Sequence, residues 1–552
     1  MTKTIYMTRN QKIDDTSSMM RLIGNSIVNR WDEVAFSDYG SDKSYTYHDL
    51  FEKITRIHIF LDLYGVKPGD KIAICDKNCS NWAVAFLAIY TYNAVAVPLL
   101  PDFHINQIES LAEHSDSRLL LTNKTTFLKA DKCKEIMIDT MTFRPFVQDT
   151  PMDDIFLRLD EEVRKRFPNG IRPECVSFED ENPDDLAVIS YTSGSTGNPK
   201  GVMLSHKSFW SNNLFARMNF PLNSHHNCIS LLPLAHMFGL SFEFIFPLTI
   251  GCHITFLTKV PSPNVVIKAF NELKPFMIIL VPLIIEKIVR KNIMPILNTP
   301  KMRLAIKIPI LNRYIYSVIR KKLSKVFGSS FYEVVFGGAA LAKDVEALLH
   351  KIHFRFTSGY GMTECGPLIA YTDWKNYVSG GCGRPVDRME IDILSDDPEN
   401  VPGEIVCRGA NLMMGYYKNP EATSEAVDKD GWLHTGDLGT IDRNGNIFIR
   451  GRKKNMLLGA NGQNIYTEEI EDTISRHELV DECVVVQREQ KLVALIYTSD
   501  KTLTANGMTR ENMKQSLDAI RGAINNGLPK FAQISHIETM NKEFEKAVWH
   551  NG

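Results

Sequence analysis

The chain as a whole lacks the net basic field that would recruit a polyanion. Its 552 residues balance 63 Lys and Arg against 65 Asp and Glu, a formal net charge of -2. That balance argues against a nucleic-acid partner, while leaving room for a local anion site. The opening MTKTIYMTRNQKIDD lacks the apolar core of a secretory signal. Of ten cysteines only Cys75 and Cys79 lie close together, and no Cys or His spacing completes a zinc set. Reduced, mostly buried thiols in a cytoplasmic protein are therefore expected. Uninterrupted membrane spans are missing too. The uncharged stretch 82–100 contains Asn93 and Pro98 and ends in β-branched AVAVP, which predicts a buried helix running into a buried strand. The stretch 229–257 holds His236, Glu243, His253 and two prolines, too heavy a polar load for lipid. Internal repeats and low-complexity segments are also absent.

What is present alternates. KIAICD, AVAVPLL, RLLLTN, DLAVISYT, CHITFL, FMIILVP and YEVVFGG are short apolar runs separated by longer helical patterns. This texture predicts an α/β fold with stacked, largely parallel sheets covered by helices. After Pro385 the texture changes to EIDILSD, GEIVCRG and GNIFIRG, strands between Gly, Asp and Asn turns, expected to form a small β-barrel-like or antiparallel subdomain. A third texture follows: a helix over 466–477, strands over 482–489 and 491–499, and a helix over 510–526. The expected division is a large domain over 1–451 and a small, mobile α+β lid over 452–552, with the boundary in the charged run 451–455.

The strand DLAVISY ends in TSGSTGNPKG. Three glycines with Ser and Thr between them allow close backbone approach, and their N–H groups and hydroxyls can converge on phosphate oxygens. Lys200 adds a flexible positive charge. A P-loop is excluded by spacing, because four residues after Gly194 stands Pro199 where that motif needs Gly-Lys.

Four more motifs follow in order: FGGAAL at 336–341, GYGMTECGP at 359–367, GWLHTGDLG at 431–439 and GRKKN at 451–455. Together with YTSGSTGNPKGVMLSH at 191–206 they resemble the adenylate-forming superfamily of acyl-CoA synthetases, luciferases and peptide-synthetase adenylation domains. The likeness runs from about 45 to 497, and GWLHTGDLG followed by KKN is most similar to bacterial long-chain fatty acyl-CoA synthetases.

The resemblance implies ATP, Mg²⁺ and coenzyme A, a fatty acid as substrate, and a thioester product formed through an acyl-adenylate. An acyl-carrier protein is the alternative acceptor, and an adenylate-binding protein with little turnover is the alternative of another class. Thr192, Ser193, Gly194, Ser195, Thr196, Gly197 and Lys200 would hold the β- and γ-phosphates. Glu364 would carry Mg²⁺, whose hard charge suits a carboxylate and phosphate oxygens, and Thr363 would bond the α-phosphate. Gly338, Ala339 and Ala340, with Gly359, Tyr360 and Gly361, would receive adenine; Asp437 and Arg452 would hold the ribose. His236, in LLPLAHMFG, would line and gate the acyl and pantetheine pocket. Amino-acid-activating relatives place an aspartate in this segment; Met237, Phe238, Gly239 and Leu240 offer no charge, so a substrate ammonium would be buried unpaired. Lys454 would be the pivot on which the lid turns between half-reactions.

One element of that pattern is missing. The superfamily's lid lysine, in a Gly-Lys-Ile/Leu-like segment, has no counterpart in FAQISHIETMNKEFEKAVWHNG, where Lys542 and Lys546 are the candidate substitutes. Losing such a cation costs on the order of 10²–10³ in adenylation rate. A separate feature is basic: no acidic residue occurs between Glu286 and Glu333, while 287–325 holds eleven Lys and Arg among apolar residues. This pattern fits a solvated helical face, peripheral contact with anionic lipid at the inner face of the membrane, or a seat for the phosphates of coenzyme A.

Overall fold

A strand covered by helices on both faces has no polar side, and Lys71–Cys75 behaves accordingly: beyond Lys71 every side chain is buried. In the computed structural model this strand belongs to a seven-stranded sheet. Its order is Gly415–Tyr416, Lys200–Ser205, Leu186–Thr192, Val95–Pro98, Lys71–Cys75, Ser117–Thr122 and Met137–Asp139. The last five are parallel, and the two outer joins at the Gly415 edge are antiparallel. The structure describes residues 6–7, 18–192, 199–259, 261–458, 464–475, 477, 479–488, 491–505, 507–526, 528–529 and 532–544.

The helix Ser80–Thr91 is buried along its whole length and feeds directly into Val95–Pro98. The stretch 82–100 is thus the helix-then-strand unit its composition predicts. Among the described residues no helix is long and apolar enough to cross a membrane. The stretch 229–257 is likewise broken up: the end of one strand, a π-helical turn over Gly239–Ile245, a short helix over Phe246–Ile250, and the strand His253–Phe256. That strand lies in a four-stranded sheet with Asn227–Ser230, Val34–Asp38 and Ser44–Thr46. A third sheet, wholly parallel, orders Met277–Leu280, Glu333–Phe336 and Phe356–Ser358.

Beyond Pro385 the chain forms an antiparallel sheet in the order Tyr6–Met7, Met389–Leu394, Gly403–Gly409, Leu433–Ile441, Ile447–Arg452. Met389–Leu394 alternates buried and more exposed side chains, the pattern of a sheet with one covered face. In the C-terminal region the helices Thr467–Ile474 and Arg510–Asn525 and the strands Glu482–Arg488 and Lys491–Tyr497 fall within three residues of the expected bounds. An unexpected strand, Ile534–Met540, pairs parallel with Lys491–Tyr497. Ile470, Ile474, Leu492, Ile496, Leu517 and Ile534 belong to a core of this region's own. All ten cysteines are free, buried or half-buried.

Candidate active site

Thr192, residues 338–340 and Gly359 stand at or just past the carboxyl ends of strands paired in parallel, where α/β folds place their ligands, while Asp437 and Arg452 face each other in the antiparallel sheet. Leu186–Thr192 and Lys200–Ser205 form a hairpin in which Thr192 and Lys200 are register partners, so the two ends of the intervening loop are adjacent. Ser193, Gly194, Ser195, Thr196 and Gly197 lie outside the described residues. Thr192 and Lys200 stand half-buried at the mouth.

Gly415–Tyr416 runs beside Lys200. Tyr416 lies opposite Val202, and the Tyr417 N–H donates to the Gly201 carbonyl at 2.7 Å. This pairing sets the Lys200 ammonium 4.9 Å from the centre of the Tyr416 ring, a cation–π contact. The same tyrosine's hydroxyl donates to Glu364 Oε1 at 2.8 Å. Glu364 sits in the single turn Thr363–Cys365, where its carbonyl accepts from the Met413 N–H at 2.8 Å. Burial raises the Glu364 carboxyl above the ordinary carboxylate range, against its hydrogen bonds and the charges of Arg452 and Lys200.

A second tyrosine and carboxylate pair stands nearby. The Tyr360 hydroxyl donates to Asp437 Oδ2 at 2.7 Å, and Arg452 Nε meets Asp437 Oδ1 at 2.8 Å. Burial raises the Asp437 carboxyl too, with Arg452 the main opposing influence. Arg452 acts on both carboxylates. Two buried acids and two basic side chains thus share one small region.

Glu333–Phe336 runs out into Gly338, Ala339 and Ala340, all exposed, with Gly338 at φ +80°. The Gly359 N–H donates to the Phe336 carbonyl at 2.9 Å, which lays 359–361 alongside this shelf. A Cβ on Gly337 would meet Phe238 Cε1 at 2.6 Å, so the Phe238 ring rests against the shelf in space that only glycine leaves. The His236 segment is thereby brought to the same place. His236 is half-buried; its N–H donates to the Pro233 carbonyl at 3.0 Å and its carbonyl accepts from the Leu240 N–H at 2.9 Å. Glu243 anchors the segment from below. Its Oε2 accepts from the Leu231 and Leu232 N–H groups at 2.8 Å each, and burial pushes its carboxyl up to about 8.

Lys453–Asn455 is a single helical turn on which Lys454 is exposed, within electrostatic range of Asp437. Glu468, from Thr467–Ile474, accepts from the Arg452 N–H at 3.2 Å and from Asn455 Nδ2 at 2.7 Å, gripping the chain on both sides of Lys454. Lys542 is exposed two residues before Phe544, whose N–H donates to Glu482; Lys546 lies outside the described residues.

Sequence reasoning missed Tyr416, Glu468 and the anchoring role of Glu243. Gly415–Tyr416 is two residues long, below the length at which a strand shows any period. The metal expectation fits what is present. Among the described residues no three His, Cys, Asp or Glu side chains converge. The buried carboxylate of Glu364 suits Mg²⁺, which keeps waters and takes substrate phosphate oxygens rather than needing an all-protein cage.

Paired tyrosine–carboxylate contacts thus stand beside a lysine, next to an open shelf at the end of parallel strands. The chain belongs to the AMP-binding enzyme family, whose profile spans residues 26–417, with the AMP-binding enzyme C-terminal domain over 454–547. It is 26% identical over 494 residues to a long-chain-fatty-acid–CoA ligase of Bacillus subtilis (strain 168), covering 85% of this chain and 82% of that one. It is 29% identical over 468 residues to 4-coumarate–CoA ligase 1 of Arabidopsis thaliana, covering 81% and 76%. ATP-bound MatB from Rhodopseudomonas palustris shares the fold with a TM-score of 0.73 at 21% identity, covering 95% of each chain. So does the o-succinylbenzoate CoA synthetase MenE from Bacillus subtilis with its acyl-adenylate, with a TM-score of 0.70 at 20% identity and 94% of each chain covered. Family membership makes the chain an acid-activating ligase that works through an adenylate, with ATP, Mg²⁺ and coenzyme A as its cofactor and co-substrates.

Proposed function

We propose that this enzyme joins a long-chain fatty acid to coenzyme A, taking the acid at a lipid surface and releasing AMP and pyrophosphate. The observation that carries the reading is the apolar segment on the nucleotide shelf. Phe238 lies against Gly337, Met237 and Leu240 are buried, and the nearby acid, Glu243, is occupied by two backbone N–H groups. A substrate ammonium would find no partner there, whereas an alkyl chain loses nothing by entering. The Bacillus relative's name points the same way.

In this reading the acid's oxygen attacks the α-phosphorus of ATP, forming an acyl–O–P bond as the bond to pyrophosphate breaks. Lys200, with Thr192 and residues 193–197, holds the departing phosphates. Thr363 bonds the α-phosphate, and Glu364, oriented by Tyr416, would hold Mg²⁺, which when bound would offset charge on the phosphate oxygens. Asp437 and Arg452 hold the ribose, and Tyr360 and the 338–340 shelf receive adenine. The thiol then attacks the acyl carbon, AMP leaves, and Lys454 is the pivot between the two half-reactions. His236 lines the channel where acid and thiol meet.

4-Coumarate–CoA ligases at 28–29% identity favour a second reading, an aryl-propenoic acid as substrate. A panel of acids, saturated C8 to C18 plus 4-coumarate, scored for AMP release with ATP and coenzyme A, separates the two. Preference for C14 or longer is expected; preference for coumarate overturns the proposal. Replacing coenzyme A with an acyl-carrier protein in the same assay tests the alternative acceptor. Tight ATP binding without acid-dependent AMP release would leave only an adenylate-binding role.

A further inference from the structure

The basic run 287–325 folds into four helices, Pro282–Asn292, Met294–Leu297, Pro300–Ala305 and Pro309–Val326. Two features of this region are unused by the catalytic site. The first is apolar exposure. Ile296, Leu304, Ile308, Ile310 and Tyr314 are more than half exposed, with Ile310 at 85% and Tyr314 at 68%. In Pro309–Val326 only Leu323 is buried. The second is unpaired charge. Among the described residues, the eleven Lys and Arg of 287–325 make one ion pair, Arg290 with Asp344 at 3.0 Å.

These features share one helix face. Ile310, Tyr314, Lys321 and Lys325 follow one another at i, i+4, i+11 and i+15, which a 3.6-residue turn stacks along one side. The apolar pair sits at the amino end of Pro309–Val326. At the carboxyl end an open cavity of about 640 Å³ is lined by Arg320, Lys321, Lys325 and Arg355, with the hydroxyls of Ser324 and Ser329 and, among the described residues, no carboxylate. Ser329 and Arg355 precede the strands Glu333–Phe336 and Phe356–Ser358, whereas the nucleotide shelf follows them. The cavity therefore lies at the opposite end of the sheet from the catalytic site and is no part of it.

We propose that this face docks on a bilayer containing anionic phospholipid. Ile310 and Tyr314, with Leu304 and Ile308 ahead of them, enter the headgroup layer, and the cavity between Arg320 and Arg355 receives a lipid phosphate. A free phosphate ligand would account for the cavity alone; a lipid accounts for the exposed apolar side chains on the same face as well. The inference rests on the fatty-acid reading for its purpose, since such a substrate partitions into membranes, but its test needs no turnover.

The test is flotation of the full chain with phosphatidylcholine vesicles, with and without 30% phosphatidylglycerol, at low and high salt. Binding to the anionic vesicles at low salt, weakened by salt, is expected. Each surface charge removed weakens it roughly fivefold, so Lys321→Gln with Lys325→Gln lowers the partition coefficient by about 25-fold. Ile310→Ser with Tyr314→Ser lowers it on the order of tenfold, and the exposed control pair Lys67→Gln with Lys124→Gln changes it little. All these positions are exposed, and circular dichroism checks that each variant is folded. Absence of binding at low salt, or equal binding after Lys321→Gln with Lys325→Gln, overturns the proposal. So does calorimetric binding of inorganic phosphate without vesicle retention, which makes the cavity a free-anion site. Because flotation is read without substrate, its failure leaves the acid panel untouched, and the reverse holds too.

Discussion

Replacing Tyr416 with phenylalanine keeps the ring 4.9 Å from the Lys200 ammonium and removes only the hydroxyl that donates to Glu364 Oε1 at 2.8 Å. Burial already holds the Glu364 carboxyl above its ordinary range, and the tyrosine works against that shift. Its loss raises the carboxyl further, so less of it is ionised at a given acidic pH. A hydrogen bond to an ionised acceptor contributes about 1.5–3 kcal/mol. The ionised fraction below the midpoint therefore falls roughly ten- to a hundredfold. Mg²⁺ needs the deprotonated form, so its requirement rises in step. The assay is ATP–pyrophosphate exchange with a fixed acid, titrated with Mg²⁺ over a range of pH. Tyr416→Phe needs more Mg²⁺ toward the acid end of the range and approaches the parent protein as pH rises. Superimposable Mg²⁺ curves at the most acidic pH the folded protein tolerates, or a deficit of equal size at every pH, would refute the reasoning.

Asp437→Asn leaves Arg452 without its carboxylate. Arg452 is about one third exposed, so stability drops by only about 1 kcal/mol, while ATP binds roughly ten- to a hundredfold more weakly by calorimetry; an unchanged ATP affinity would remove Asp437 from the nucleotide site. Lys454→Pro, by stiffening the turn Lys453–Asn455, is expected to slow thioester formation on the order of tenfold while hydroxylamine-trapped adenylate forms near the parent rate. Equal losses in both half-reactions would count against the pivot. Glu243→Gln isolates a pH effect. Folding lifts this carboxyl from 4.5 to about 8, so the folded state keeps a proton that the unfolded chain releases. The parent protein then loses stability as pH rises through that window, by up to about 1.4 kcal/mol per pH unit. The Gln variant lacks this slope, and parallel melting profiles from pH 5 to 9 would sink the assignment.

The parallel strands were legible because helices cover both their faces, which forces continuous apolar runs such as KIAIC and EVVF. Lys200–Ser205 was harder to read. Its antiparallel pairing with Leu186–Thr192 depends on a turn through a glycine-rich loop rather than on any period of its own. Ile534–Met540 reads as a polar tail, and only its partner Lys491–Tyr497 makes it a strand. In the site, residues within marked motifs were visible, whereas those joined across long separations were not. Tyr416 meets Glu364 from 52 residues away, and nothing in Gly-Tyr-Tyr announces that meeting. Glu468 looks like any exposed helical acid until the fold brings Arg452 and Asn455 to it.

The rung between Thr192 and Lys200 also limits how the protein can vary. A strand shows its side chains to alternate faces, so one extra or missing residue inside Lys200–Ser205 would invert the display of every side chain on that side of the change. Length changes in the loop itself leave the rung untouched. On the proposed function, diversity in how a triphosphate is received is expected to accumulate between the two ends, while the ladder that carries the lysine keeps its count.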